Sequence, residues 1–347
     1  MNIRIMKFGG TSINTFRKRE YIVSLIKETI EQGFNPVIIV SAIGRIGDPY
    51  STDTLLEFLR SNSVNINEHD QALLLSCGEI ISSVVISSML NSAGIKSIAL
   101  TGTRAGIQTS SKKYINSSIT KIHTSCLLEN VKKGYIPVIA GFQGHTPEKE
   151  VTILSRGGSD TTATALGYTL DAHEIDIFTD VEGIMTTDPA IINEAMVIPQ
   201  ISYKNAYLMA RFGAKIINAE SIKWAERKGI PINVRMTLNK HIGTKISTCT
   251  QDNMRKNNVF AIQYNNKSRK TVNVNILGVF DGNHYHIVEA IKKTLSSHLI
   301  PILQVIPKEN VISIKISTSF LFKTLQLLHR ELIEHNYTAE GTKNIYV

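Results

Sequence analysis

Three segments of this 347-residue chain combine glycine turns with charged side chains in a way that suits phosphate and carboxylate chemistry. Lys7-Phe8-Gly9-Gly10-Thr11-Ser12 ends an alternating run and precedes a helical one. Glycines at such a junction let backbone N–H groups approach phosphate oxygens, the helix dipole favours negative charge, and Lys7 adds a full positive charge. A tight strand-to-helix connection with an exposed lysine accounts for the same six residues equally well. Arg156-Gly157-Gly158-Ser159-Asp160-Thr161-Thr162 is a second glycine turn opening a helix, with Ser159 or Asp160 fit to cap it. Beyond capping, Arg156 can grip a carboxylate through two parallel hydrogen bonds, and Asp160 can orient a nearby lysine. Phe178 to Pro189 follows a strand with a polar turn; it can wrap a nucleotide, or be a loop that Pro189 punctuates.

These turns need a scaffold, and the chain supplies short apolar strands separated by helical runs. Ile3 to Phe8 alternates like a strand, and Ile22, Leu25, Ile26 and Ile30 then recur at helical spacing. Val37–Val40, Ser97–Leu100 and Ile136–Ala140 are further short apolar strands, each followed by a small-residue turn, the pattern of a sheet covered on both faces. Helical segments are expected at Asp53–Leu59, Gln71–Leu90, Ile119–Lys132, Asp160–Tyr168 and Lys215–Lys228, giving a three-layer α/β/α sandwich over residues 1–240. Residues 241–258 are polar and without apolar period, as a surface linker is. Residues 259–347 then read as β-α-β-β-α-β, the ferredoxin-like unit. Its strands lie near Val272–Ile276, Pro301–Ile306, Val311–Ile316 and Asn344–Val347, and its helices carry Ile287, Ile291 and Leu295, and Leu321, Leu325, Leu328 and Leu332.

Composition narrows the function classes. Met1 to Gly10 lacks the basic, apolar and small-residue succession of a secretory signal, and the most apolar stretch, Leu73 to Ala93, is interrupted by Ser76, Glu79, Ser82, Ser83, Ser87 and Ser88. A cytoplasmic protein with no membrane partner is expected. Cys77, Cys126 and Cys249 have neither metal-ligand nor redox spacing, and His69, His123, His145 and His173 show no paired spacing, so no residue is assigned to a metal. The net charge of +9 is scattered, without a recognition helix or stacking aromatics, which points to phosphate-bearing small molecules and away from nucleic acid.

KFGGTS, LLLSCGE, GFQG, RGGSDTTATALG, FTDVEGIMTTDP and FGAK occur in the order and approximate spacing of aspartate kinases. The first two-thirds of the chain resembles that family, and GRIGDPYSTDTLL with SCGEIISSVV resembles its diaminopimelate-responsive branch. The tail resembles an ACT regulatory domain. The resemblance implies the amino-acid kinase fold, ATP with Mg²⁺ as cofactors, L-aspartate as substrate, 4-phospho-L-aspartate as product, and a homodimer formed through the ACT-like domain. It also implies roles, residue by residue. Lys7 stabilises the transferring phosphoryl group, beside Phe8, Gly9 and Gly10 in the phosphate-contacting turn, and Asp160 organises that lysine. Arg156 holds the substrate α-carboxylate, flanked by Gly157, Gly158 and Ser159, and Glu79 receives the α-ammonium. Ser41 and Thr52 match substrate-binding positions, with GDPYS standing as an insertion before the Thr-Asp pair. Thr179, Asp180, Met185 and Lys215 match the nucleotide-binding stretch.

A substrate carboxylate with a reference pKa near ~4 is already a nucleophile at neutral pH, so the chemistry needs fixed positive charge more than a general base. Two departures from the family pattern stand out: Ala190, where an arginine usually follows Asp-Pro, and Asn218-Ala219 in place of His-Pro. One ACT-like pattern is legible where the family commonly carries two, so weak or absent feedback inhibition by end products is expected. Other readings stay open at this point: a kinase of the same fold for another acid, or a catalytically impaired ligand-binding regulatory protein.

Overall fold

The computed structural model describes residues 1–110, 113–214, 217–239, 243–248, 258–266, 268–280 and 284–334. The chain divides into two compact units, Met1–Gly183 with Ile217–Thr248, and Ile184–Ile216 with Cys249–Val347.

In the first unit the strands are β1 (Ile3–Phe8), β2 (Asn35–Val40), β3 (Ser97–Leu100), β4 (Ile107–Thr109), β5 (Ile119–Ile122), β6 (Ile136–Ala140), β7 (Gln143–His145), β8 (Val151–Ile153) and β9 (Glu174–Thr179). Further along the chain, β10 (Gln200–Ser202) belongs to the second unit, and β11 (Ile232–Met236) and β12 (Thr244–Ser247) return to the first. The main sheet runs β12-β11-β9-β1-β2-β6-β3, parallel throughout except for β12. All-parallel pairing demands cover on both faces. Met6, Phe8, Ile38 and Val40 face one layer, where they pack with Ile22 and Ile26 of α1 (Phe16–Glu31) and with Ile86 and Leu90. The alternate side chains face the other layer, where Gly167 of the later helix Gly158–Thr169 sits close against Ile5 and Ile175.

Helix α2 (Thr52–Asn62) is capped by Ser51, whose Oγ accepts the Thr54 N–H at 3.3 Å, and α3 (Glu68–Ser92) by Asn67, whose Oδ1 accepts the Asp70 N–H at 2.8 Å. By length and composition α3 could cross a membrane. In the fold it is a core helix, and its buried serines return their hydroxyls to its own carbonyls, Ser82 to Gly78 at 2.9 Å and Ser76 to Leu73 at 2.8 Å.

The sequence reading differs from the structure in this region. Ile119–Lys132, expected as one helix, begins as β5, paired antiparallel with β4, and only Ser125–Lys132 is helical (α4). Ile119, Thr120 and Ile122 are β-branched and suit a strand pairing that local helical periodicity does not reveal. The small sheet β5-β4-β7-β8 was not foreseen either. The remaining helices of this unit are α5 (Gly158–Thr169) and, after α6 (Tyr203–Phe212) of the second unit, α7 (Ala219–Glu226).

The second unit holds an antiparallel sheet ordered β13-β14-β16-β15, from β13 (Asn258–Asn266), β14 (Thr271–Val279), β15 (Gln304–Lys308) and β16 (Val311–Ser317). Helices α8 (Tyr285–Ser297) and α9 (Leu321–His329) cover one face, burying Val272, Val274, Ile276, Ile312, Ile314 and Ile316 with Ile291, Leu295, Leu325 and Leu328. The expected β-α-β-β-α succession is present as β14-α8-β15-β16-α9, and β13, unread in the sequence, runs along the outer side of β14. Asn344–Val347 lies outside the described residues. Segment 184–216, read from sequence as part of the first domain, packs with this unit: Ile192 joins its core, and Thr186 Oγ1 pairs with His329 Nε2 at 2.9 Å.

Candidate active site

Because β1, β2, β6 and β9 are parallel, their carboxyl ends converge on one edge of the sheet, where Gly9, Ser41, Gly141 and Asp180 begin the loops. Ligand sites of open parallel sheets form at that edge. Strand alternation decides which side chains reach it. Phe8 turns into the core and stacks on Phe178 with ring centroids 4.6 Å apart, while Lys7 turns to the α5 side. There Lys7 Nζ lies 2.6 Å from Asp160 Oδ1 in the first turn of α5, with the two residues only 9% and 6% exposed. Asp160 Oδ1 has no other donor among the described residues, so the Lys7 ammonium is the charge that faces it.

A cavity of about 290 Å³ opens beside this pair. Lys7, Ser41, Thr52, Glu79, Arg156, Gly157, Gly158, Ser159 and Asp160, assigned from separate segments, all line it. Glu79 is 2% exposed; its Oε1 accepts the Ala42 N–H at 3.0 Å, and its Oε2 is buried without a partner. Desolvation on α3 pushes the Glu79 carboxyl up to about 8, against the lowering effect of the backbone donors of Ala42 and of Glu79 itself. An unsatisfied buried carboxyl oxygen in a cavity wall is suited to receive a cationic donor. Arg156 stands at the mouth with its side chain 91% exposed, holding Asp53 Oδ1 at 2.7 Å.

The second glycine turn has a geometric cause. Gly157 has φ +76°, and an added Cβ would meet Asn218 at 2.9 Å; at Gly158 it would meet Leu154 and Phe142 at 2.7 and 2.8 Å. Asn218 Nδ2 donates to the Arg156 carbonyl at 2.6 Å, while its Oδ1 caps α7 by accepting the Glu220 N–H at 2.8 Å. The departure at Asn218-Ala219 therefore has a role: it ties α7 to the Arg156 turn.

In the first glycine turn, the Gly10 carbonyl accepts the Gly44 N–H at 3.0 Å, and a Cβ on Gly10 would sit 2.4 Å from the Ala42 carbonyl oxygen. Gly9 N–H donates to the Phe178 carbonyl at 3.1 Å. At the end of β9, Thr179 is fixed by Thr237, whose N–H donates to its carbonyl at 2.9 Å, and Asp180 pairs with Arg45. Phe8, Gly9, Gly10, Thr179 and Asp180 thus share the edge but do not line the cavity. Met185 belongs to the second unit, bridged to Val197, and so does Ala190, whose N–H donates to Asp188 Oδ1 at 3.0 Å. Lys215 lies outside the described residues.

Asp53, Phe142, Arg45 and Asn218 were not singled out as site residues. Asp53 begins the helix expected at Asp53–Leu59, and GFQG contains Phe142. Phe142 adopts φ +65°, a left-handed conformation that a bulky residue takes only under constraint. Among the described residues no three His, Cys, Asp or Glu side chains cluster as a metal site.

The model of the amino acid kinase family matches residues 2–235. The chain belongs to the amino acid kinase family. Among curated members it is 43% identical over 248 residues to Aspartokinase 1 of Bacillus subtilis, covering 72% of this chain and 61% of that protein. It is 38% identical over 242 residues to an aspartokinase of Helicobacter pylori, covering 70% of this chain and 58% of that protein. The chain thus spans about three fifths of the length of these relatives. Among solved structures, aspartate kinase from Synechocystis aligns with a TM-score of 0.62 at 27% identity, over 94% of this chain and 55% of that one. Clostridium acetobutylicum aspartate kinase aligns with a TM-score of 0.71 at 18% identity, over 96% of this chain and 100% of that one, a likeness of fold.

Proposed function

We propose that this amino acid kinase is a cytoplasmic aspartate kinase, transferring the γ-phosphoryl group of ATP to the β-carboxylate of L-aspartate to give 4-phospho-L-aspartate. That product would enter the aspartate-derived route to diaminopimelate, lysine, threonine and methionine. The observation that carries the reading is the unpartnered Glu79 Oε2 in the same cavity as Arg156 and the Lys7–Asp160 pair. An α-amino acid offers an ammonium for Glu79 and an α-carboxylate for Arg156, whose guanidinium would exchange Asp53 for it or bridge the two. Held at both α-groups, a short side-chain carboxylate is delivered to the lysine, and a longer one overshoots.

The chain's own contribution to transfer is electrostatic. Lys7 meets the charge that develops on the phosphoryl oxygens, Asp160 fixes the lysine, and the first-turn N–H groups of α5 add donors at the same wall. ATP would lie along the edge formed by Gly9, Gly10, Thr179 and Asp180, with Met185 and Lys215 assigned by resemblance. Mg²⁺, when bound with ATP, would neutralise charge on the phosphates. The second unit serves, in this proposal, as an ACT-like pairing domain for a homodimer.

The test incubates the purified chain with MgATP, hydroxylamine and either L-aspartate or L-glutamate, trapping acyl phosphate as the hydroxamate. Product from aspartate alone, abolished in Lys7→Ala and Arg156→Ala, is expected. Product from glutamate overturns the substrate, and no product from either acid overturns the activity.

A further inference from the structure

Strand register in the second unit builds a polar row that its fold does not require. Asn265 pairs with Asn273, Asn273 with Lys315, and Lys315 with Gln304, so one residue from each of the four strands stands side by side. The flanking residues Val272, Val274, Ile314 and Ile316 point to the helices, which leaves this row on the opposite face of the sheet. Asparagine is depleted in strands because it packs poorly on a pleated surface, so two adjacent asparagines in a central rung work against the fold.

The neighbouring row is tied off. Ser313 Oγ donates to Asn275 Oδ1 at 2.8 Å, and Asn275 Nδ2 reaches the Phe212 carbonyl at 3.4 Å. In the first row, by contrast, Asn265 Oδ1 is buried with no donor. These residues, with Phe212 and Lys308, enclose a cavity of about 280 Å³, near the lower end of the roughly 300–1,000 Å³ typical of small-molecule sites. Lys308 and Lys315 supply positive charge, and no acidic side chain lines the space.

We infer that this pocket binds a small organic carboxylate that also carries a hydroxyl donor. Lys315 and the amide groups of Asn273 and Gln304 take the carboxylate, and Asn265 Oδ1 accepts the ligand's donor. The pocket is separate from the kinase cavity and does not depend on the activity assigned there.

The experiment is calorimetric titration of the full chain carrying Arg156→Ala, which silences the kinase cavity, with citrate and L-malate. Sodium sulfate serves as an inorganic anion and glycerol as an uncharged polyol. Saturable binding of citrate or malate is expected, weakened about tenfold or more by Lys315→Gln, as loss of a charge-assisted bond implies. The kinase activity of Lys315→Gln in the otherwise native chain should be unchanged. Asn273→Val, which suits the strand better, should raise Tm and abolish binding. Binding of sulfate alone, no binding of either carboxylate, or binding that survives both substitutions would overturn the assignment.

Discussion

Asn218 Nδ2 lies 2.6 Å from the carbonyl oxygen of Arg156 and donates to it, across 62 residues of sequence. One amide thereby caps α7 and pins the turn that presents the arginine. Asn218→Ala should cost about 1 kcal/mol of stability through the lost cap. It should also raise KM for aspartate several-fold with a smaller change in kcat, because the guanidinium then samples more positions. Steady-state kinetics with a thermal melt separates the two effects. Asn218→Asp, which keeps the cap but not the donor, should restore Tm and leave KM high.

Under the proposed function, Glu79 should make aspartate binding pH-dependent. Its carboxyl sits at about 8 in the empty cavity, so near pH 7 it is mostly protonated, and pairing with an ammonium ionises it. Binding should release close to one proton at pH 7, seen as a buffer-dependent calorimetric heat, and aspartate affinity should rise as pH goes from 6 to above 8. Identical heats in buffers of different ionisation enthalpy would contradict this.

The same shift affects stability with a defined sign. The folded state holds a proton on Glu79 that the unfolded chain, at the ordinary value of 4.5, releases, so this contribution is present below pH 4.5 and lost as pH rises toward about 8. Glu79→Gln should remove that dependence. It should make the chain more stable than wild type at pH 8.5, by about 3–5 kcal/mol at most, while aspartate binding collapses.

Lys7→Ala should lower kcat by at least about a hundredfold, since it removes the fixed charge at the transfer edge. It also leaves Asp160 buried and unpaired, so Tm should drop. Lys7→Ala combined with Asp160→Asn should recover much of the Tm but none of the rate. A double variant as unstable as the single one would show that the pair is not coupled.

Within β9, Asp176 is fully buried between Arg4 and Arg235, with each Nε 2.6 Å from a carboxylate oxygen. Asp176→Ala leaves the Arg235 guanidinium without this partner and Arg4 with only Glu174, 3.1 Å away, and should cost about 3–5 kcal/mol in denaturant unfolding. The fraction that remains folded should turn over at the wild-type kcat, because the ion triad serves the sheet and not the cavity.

The site was more legible than the scaffold. Lys7, Arg156 and Asp160 stand in two local glycine turns, Glu79 is marked by the family resemblance, and all four line one cavity. Residues that act by holding others left weaker traces. Asn218 reads as an ordinary cap, Asp53 as a first-turn acid, and Phe142 gives no sign in sequence of its left-handed backbone. The small sheet from β4, β5, β7 and β8 went unread because its strands are three or four residues long, too short for period-2 alternation to register.

The sequence by itself determined the strand–glycine–helix units, the two-layer cover of a parallel sheet, and the ionic character of the chemistry. Those depend on local conformational preference and on which side chains carry charge. Tertiary structure decided the rest. Parallel pairing of β1 with β2 and β9 brings segments more than a hundred residues apart to one edge. Strand alternation turns Lys7 toward Asp160 while Phe8 goes into the core. Burial on α3 gives Glu79 its raised pKa and its unpartnered oxygen. Desolvation and long-range pairing arise only when the chain encloses a group, so local sequence can name the charge but not its environment.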